Sequence, residues 1–443
     1  MKFICLILVA GALSAQVRVP GPGGVPTPSA STLSVASGSF ASLNTSGCGS
    51  PPCSQAITGL GFQPKVVLFW MTAQAADGTS NGIQYSYGAV GCGATSNCGT
   101  VKQRWWYGYG VNDNTATYGS NRRFTTGAAI GVAAEGGGAS VSAEADITSL
   151  DSGGFTLSWT TVDATARVVT YLALGGSDIT NVYVGNTTAS TTAGNLAVTG
   201  LGFQPSFVFF GMPDYGTAPP NIQATDARYN VGFSTGGTNG TFIDSGSTGS
   251  KHYQVDGASS CGTGVCVIAQ ASSGNSPEVA ANLVSLDSGG FTLDWTTVDG
   301  TAMQLFYVAI AGGHWASGTF NQPTSNGTSV VSGLSFTPQA LILTSVNNAT
   351  ATSGAAPCQY SWGVATGSTS RFTLFAGATD TTSPGRTNNS LDRTHVIDMY
   401  TPGATATLNA QADFTSFNST GFTITWGTTD ATAREVLYLA IGP

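Results

Sequence analysis

The chain has 443 residues, of which only 8% are charged, and its formal net charge is -8 with 14 Lys+Arg. A soluble protein usually carries about 25% charged residues, so this surface is mostly neutral and polar, and the basic footprint of a nucleic-acid binder is missing. A hydrophobic share of 41% can fill about three cores, while Gly (60) and Pro (18) stay below the ~25–30% that argues for disorder.

Residues 1–15 open with Lys2, run apolar from Phe3 through Leu13 and end in the small residues Ala12, Ser14 and Ala15. This is the pattern of a secretory signal peptide, too short for the about 20 apolar residues of a bilayer span. It predicts a secreted protein, extracellular or at the cell surface, without membrane insertion. Residues 16–32, rich in Pro, Gly and Ser, predict a flexible lead-in.

The rest of the chain is one unit written three times. Gly59-Leu-Gly-Phe-Gln-Pro64 returns as Gly200-Leu-Gly-Phe-Gln-Pro205 and Gly333-Leu-Ser-Phe-Thr-Pro338. Further on in each copy, Leu150-Asp-Ser-Gly-Gly-Phe-Thr-Leu-Ser-Trp159 returns as Leu286 to Trp295 and, more diverged, as Phe417 to Trp426. Two signatures in constant order predict domains over 33–176, 177–313 and 314–443, each owning its core as beads on a string do. Trp159, Trp295 and Trp426 should then pack equivalently.

Within a copy the apolar residues alternate or form short β-branched and aromatic runs, as in Lys65 to Trp70, Phe155 to Trp159 and Val168 to Leu174. No stripe at helical spacing stands out, so an all-β fold follows: three tandem β-sandwich domains, jelly-roll or immunoglobulin-like. Asp163-Ala-Thr165, Asp299-Gly-Thr301 and Asp430-Ala-Thr432 read as turns in which the Asp bonds a backbone amide ahead of it.

Asp151-Ser-Gly-Gly154 looks superficially like the surroundings of a trypsin-like nucleophile. The preceding Leu150, the change to Asn418-Ser-Thr-Gly421 and the lack of a suitable motif around His252, His314 or His395 exclude that reading. The paired glycines instead predict a tight turn with positive φ. Carboxylates are too scarce for a recurring glycosidase pair, and Asn112-Asp-Asn114 lacks a calcium-loop pattern, so no metal, cofactor or enzymatic activity is expected.

Six cysteines form close pairs, Cys48 with Cys53, Cys92 with Cys98 and Cys261 with Cys266, and predict local disulfides suited to export. The four in the first copy allow three connectivities, and Cys358 has no evident partner. The middle of each copy holds the candidate binding residues. Arg104-Trp-Trp-Tyr-Gly-Tyr109 aligns with Arg371-Phe-Thr-Leu-Phe375, and a basic residue recurs at Arg122, Lys251 and Arg393. On a strand, Trp105, Tyr107 and Tyr109 share one face and Arg104 and Trp106 the other. If one set is exposed, Arg104, Trp105, Trp106, Tyr107 and Arg122 make a patch for a glycan or a protein. If both are covered, the aromatics are core and the arginines make local ion pairs.

The signatures together, Gly-Phe-Gln-Pro and then Ser149 to Gly176 with its Asp-Ser-Gly-Gly-Phe-Thr-Leu-Ser-Trp, resemble a repeat of phage tail-fibre-like proteins and uncharacterised bacterial surface proteins. The resemblance covers all three copies and implies a β-rich surface module with no catalytic residues. A signal peptide departs from a virion protein and favours a bacterial exported one. The expected function is structural or adhesive, as a subunit of an extracellular assembly that self-associates or holds a cell-surface polymer. A lectin-like protein is the alternative, and a hydrolase comes last.

Overall fold

The structure, a computed structural model, describes residues 32–93, 98, 103–115, 120–136, 138–213, 216, 221–223, 227–235, 239–246, 252–256, 265–270, 277–346, 358–379 and 384–443. The expected signal peptide and nearly all of the lead-in fall outside these residues, as do Lys251 and Cys261. Residues 32–443 form one compact unit. It is nearly all β, in six antiparallel sheets, and the only helix among the described residues is the single turn Thr45–Cys48, capped by Asn44.

In the first repeat the strands are β1 (Leu33–Ala41), β2 (Cys53–Thr58), β3 (Pro64–Thr72), β4 (Gly78–Asn81), β5 (Ile83–Gly91), β6 (Gln103–Val111), β7 (Ser120–Thr125), β8 (Ile130–Ala133), β9 (Val141–Asp151), β10 (Gly154–Thr161) and β11 (Val168–Gly176). A large sheet runs β1-β11-β3-β5-β6-β7 and a small one β2-β10-β9-β8. The other repeats reproduce this order. In the third, for example, His314–Asn321, Glu435–Gly442, Ala340–Ser345, Cys358–Gly367, Ser370–Ala378 and Thr387–Asp392 form the large sheet.

Period-two patterning explains the small sheets. On β10, Phe155, Leu157 and Trp159 are buried while Thr156, Ser158 and Thr160 turn outward. Trp159, Trp295 and Trp426 are all buried in one register, opposite Ala145, Ala281 and Ala412. The recurring Asp residues are turn residues: Asp163, Asp299 and Asp430 accept from the amides of Thr165, Thr301 and Thr432 at 3.0, 2.7 and 3.0 Å.

The two signatures recur together because they touch. The amides of Leu60, Leu201 and Leu334 donate to the carbonyls of Gly153, Gly289 and Thr420. Gln63 and Gln204 reach the carbonyls of Leu150 and Leu286, and Thr337 reaches that of Ser419. The paired glycines differ from expectation. Neither Gly153 nor Gly154 has positive φ; that conformation belongs to Gly59 (92°) and Gly61 (78°) of the other signature. Gly154 is small because a neighbouring strand presses on it: a Cβ there would lie 1.8 Å from the carbonyl oxygen of Ile57, and Gly290 and Gly421 meet the same obstacle. Nothing lies within 4 Å of a Cβ at Gly153 or Gly289, which is why Thr420 can stand there in the third repeat.

Each repeat has an apolar cluster between its large and small sheets, built around Trp159, Trp295 or Trp426. The expectation of independent beads nevertheless fails, because a fourth cluster belongs to all three repeats. It takes Trp70, Tyr87 and Trp105 from the first, Phe209 and Phe306 from the second, and Tyr360, Trp362 and Phe372 from the third. Trp70 meets Trp362 at 5.1 Å between ring centroids, Trp105 stacks on Phe306 at 5.3 Å and Phe209 meets Trp362 edge-on at 6.1 Å.

Strands also cross between repeats. β4 leaves the first repeat and pairs with Thr387–Asp392 of the third, and its counterpart in the second, Asn221–Gln223, pairs with β7 of the first. In both described cases the same element is passed to a neighbouring repeat, a head-to-tail arrangement of the kind that closes rings. Ion pairs Arg393–Asp77 (2.7 Å) and Arg386–Asp113 (3.2 Å) join the third repeat to the first.

Candidate functional site

The predicted aromatic patch is buried. Trp105, Trp106 and Tyr107 are all 0% exposed. The alternation along β6 is as expected, but both faces of its sheet are covered. Trp105 looks toward the shared core, where its indole N–H donates to the carbonyl of Tyr307 at 3.2 Å. Trp106 looks toward the small sheet and donates to Glu144 Oε1 at 3.0 Å. These residues therefore offer no exposed sugar-stacking surface.

The arginines are local partners. Arg104 makes a two-pronged contact with Asp146 (2.5 and 3.0 Å), and Arg371 pairs with Asp413 at the same place in the third repeat. Arg122 is buried and donates to the carbonyl of Pro213, tying the first repeat to the second. Arg393 binds Asp77 and reaches Ser39. Strand register also separates Arg122 from Arg393. Arg122 lies opposite Tyr109, and Asn389 occupies the corresponding place opposite Ala376, so Arg393 corresponds instead to Thr126. Lys251 lies outside the described residues.

Of the predicted disulfides, Cys48–Cys53 and Cys92–Cys98 are present, with Cα–Cα distances of 5.6 and 4.4 Å. This settles the connectivity in the first repeat. Cys261 lies outside the described residues, and the expected Cys261–Cys266 bridge with it.

Two features converge on the turn after Thr387–Asp392 in the third repeat. Outward, Arg393 and Arg371 line a shallow depression with Ser37, Ser39, Thr369 and Ser370, about 130 Å³ in volume, between the first and third repeats. Inward, Asp392, His395 and Asp398 gather with their ligating atoms all within 4.8 Å of one another. His395 Nδ1 lies 2.8 Å from Asp392 Oδ2, and the backbone N–H and hydroxyl of Thr394 donate to Asp392 Oδ1 at 2.6 and 2.7 Å. The arrangement separates the two carboxyls chemically. Although burial opposes it, hydrogen bonds from His395 and Thr394 bring Asp392 down to about 2. Burial, then the charge of Asp392, push Asp398 up to about 7 against the opposing pull of Gln411, His395 and Tyr400. The hydrogen bond that His395 donates to Asp392 raises His395.

The sequence reading singles out Arg393 and sets His395 aside for want of a catalytic motif, and it picks out neither Asp392 nor Asp398. The signal available was the Asp-x-x-His-x-x-Asp spacing, which occurs in one repeat and so escapes a search for recurrence. No protein-family model matches the chain, and no curated protein is significantly similar to it.

Proposed function

We propose that the protein is a secreted, non-enzymatic structural or adhesive subunit of an extracellular assembly, built of three β-sandwich domains closed around a common core. The observation that carries this reading is the shared aromatic cluster with its exchanged strands. A flexible array multiplies binding sites; three copies locked together make a rigid block, which suits load or display more than turnover. The recurring Asp residues support the non-enzymatic reading, since Asp151 and Asp287 accept from Thr156 and Thr292 and are occupied in turns. Two disulfides support an oxidising compartment. Among the described residues no helix is long and apolar enough to cross a membrane.

A lectin-like reading retains one observation, the polar depression between Arg371 and Arg393. Its 130 Å³ is below the about 300 Å³ of small-molecule pockets, so it would take no more than the tip of a glycan. Fractionating producing cells with a tagged chain tests the leading reading. The tag should appear in sheared, sedimentable surface material, and a glycan array should stay blank. Free protein in the medium that turns over glycosidic or ester substrates would overturn it.

A further inference from the structure

The third repeat rebuilds one piece of core that the first repeat fills with an indole. Strand register places Thr373 where the first repeat has Trp106, and Asp398 where it has Gly131. In the first repeat a Cβ on Gly131 would come within 2.5 Å of the Trp106 ring, so the glycine makes room for the indole. In the third repeat the small Thr373 vacates that volume and Asp398 points a carboxyl into it. Asp398 is 0% exposed, and its carboxyl meets only the Gln411 amide and the Tyr400 hydroxyl, neither placed well enough for a full hydrogen bond and both outweighed by burial. A carboxyl held this way is costly unless something positive or hydrogen-bonding meets it.

The neighbours supply the rest of a ligand set. Asp392 and His395 complete a cluster of one nitrogen and two oxygen donors within 4.8 Å. Bonds of about 2.0–2.1 Å in a tetrahedral zinc site put donors about 3.3 Å apart, so small side-chain rotations close the cluster onto one ion. An imidazole among the donors selects against calcium and magnesium, which take oxygen alone. Asp392 is already oriented by Thr394, which holds Oδ1 and leaves Oδ2 facing His395, the outer hydrogen bonding that metal-binding carboxylates need. Asp392 and His395 are part-exposed, with side chains 19% and 30% accessible, which gives an ion a way in.

We propose that Asp392, His395 and Asp398 bind a zinc-class divalent cation that fastens the 393–396 turn to the core of the third repeat. The ion takes the place of the proton shared between His395 Nδ1 and Asp392 Oδ2, and that proton leaves to solvent.

The test is zinc sulfate titrated into the full chain by calorimetry, with thermal melts alongside. Wild type should take up one equivalent and melt at higher temperature. Asp398→Asn and His395→Gln should each weaken binding about tenfold or more and lose the thermal gain, while Asp77→Asn changes neither. Because His395 is part-exposed, His395→Gln decides the matter if Asp398→Asn does not fold. No saturable binding at millimolar zinc, unchanged affinity in both ligand variants, or equal displacement by calcium would each overturn the proposal.

Discussion

Replacing Trp105 by Ala should weaken the second repeat as well as the first, although Trp105 belongs to the first. The indole is fully buried, stacks on Phe306 at 5.3 Å, meets Tyr87 edge-on at 5.1 Å and donates to the carbonyl of Tyr307. An aromatic side chain buries about 150–250 Å², worth about 4–6 kcal/mol at 25 cal/mol per Å² as an upper bound. Measured Trp→Ala losses of about 3–5 kcal/mol already contain the cavity left behind. Losing the indole hydrogen bond accounts for about 1 kcal/mol of this, and a total near 4 kcal/mol is expected. Urea unfolding followed by circular dichroism reads the total, and hydrogen exchange reads its distribution. Amides of Phe207–Gly211 and Gln304–Gly312 should exchange faster in the variant. A loss under about 1 kcal/mol, or faster exchange confined to the first repeat, would refute the shared core.

The paired glycines should behave oppositely in thermal melts. Gly290→Ala drives a Cβ into the carbonyl of Val198 and should cost about 2–3 kcal/mol, while Gly289→Ala, which meets nothing, should stay within about 0.5 kcal/mol. Gln55→Leu writes the second repeat's Leu196 into the first and removes the acceptor, 2.7 Å away, of the Trp159 indole N–H. It should cost about 1 kcal/mol by calorimetry, and a gain would contradict the role given to Gln55. Asp430 is held below its ordinary value chiefly by the hydrogen bond from Arg434, so the pair stabilises the fold above the ordinary carboxylate range and fades as pH falls through the lowered value. Asp430→Asn should therefore lose about 1 kcal/mol at pH 7 and converge on wild type in acid melts taken below the lowered value. A pH-independent difference would point to packing instead.

Local chemistry was legible in the sequence, and long-range cover was not. The all-β class, the two disulfides of the first repeat and the Asp163, Asp299 and Asp430 turns depend on residues within a few positions of one another, so spacing sufficed. Alternation along Arg104 to Tyr109 sorted the side chains correctly between two faces. What covers those faces comes from far along the chain, such as Phe306 over Trp105, and no local pattern announces it. The alignment of Arg122 with Arg393 failed for a related reason: charge type was matched where register decides. Paired glycines suggest a conformational role for Gly154, but the obstacle to a side chain there is the carbonyl of Ile57 on a strand remote in sequence. The Asp392, His395 and Asp398 cluster stayed hidden because it exists where the third repeat departs from the first.

Differential scanning calorimetry of the full chain tests most directly whether three repeats have become one body. A common core predicts a single transition whose calorimetric and van't Hoff enthalpies agree. Three resolved transitions, each removable by mutating Trp159, Trp295 or Trp426 separately, would return the repeats to beads on a string.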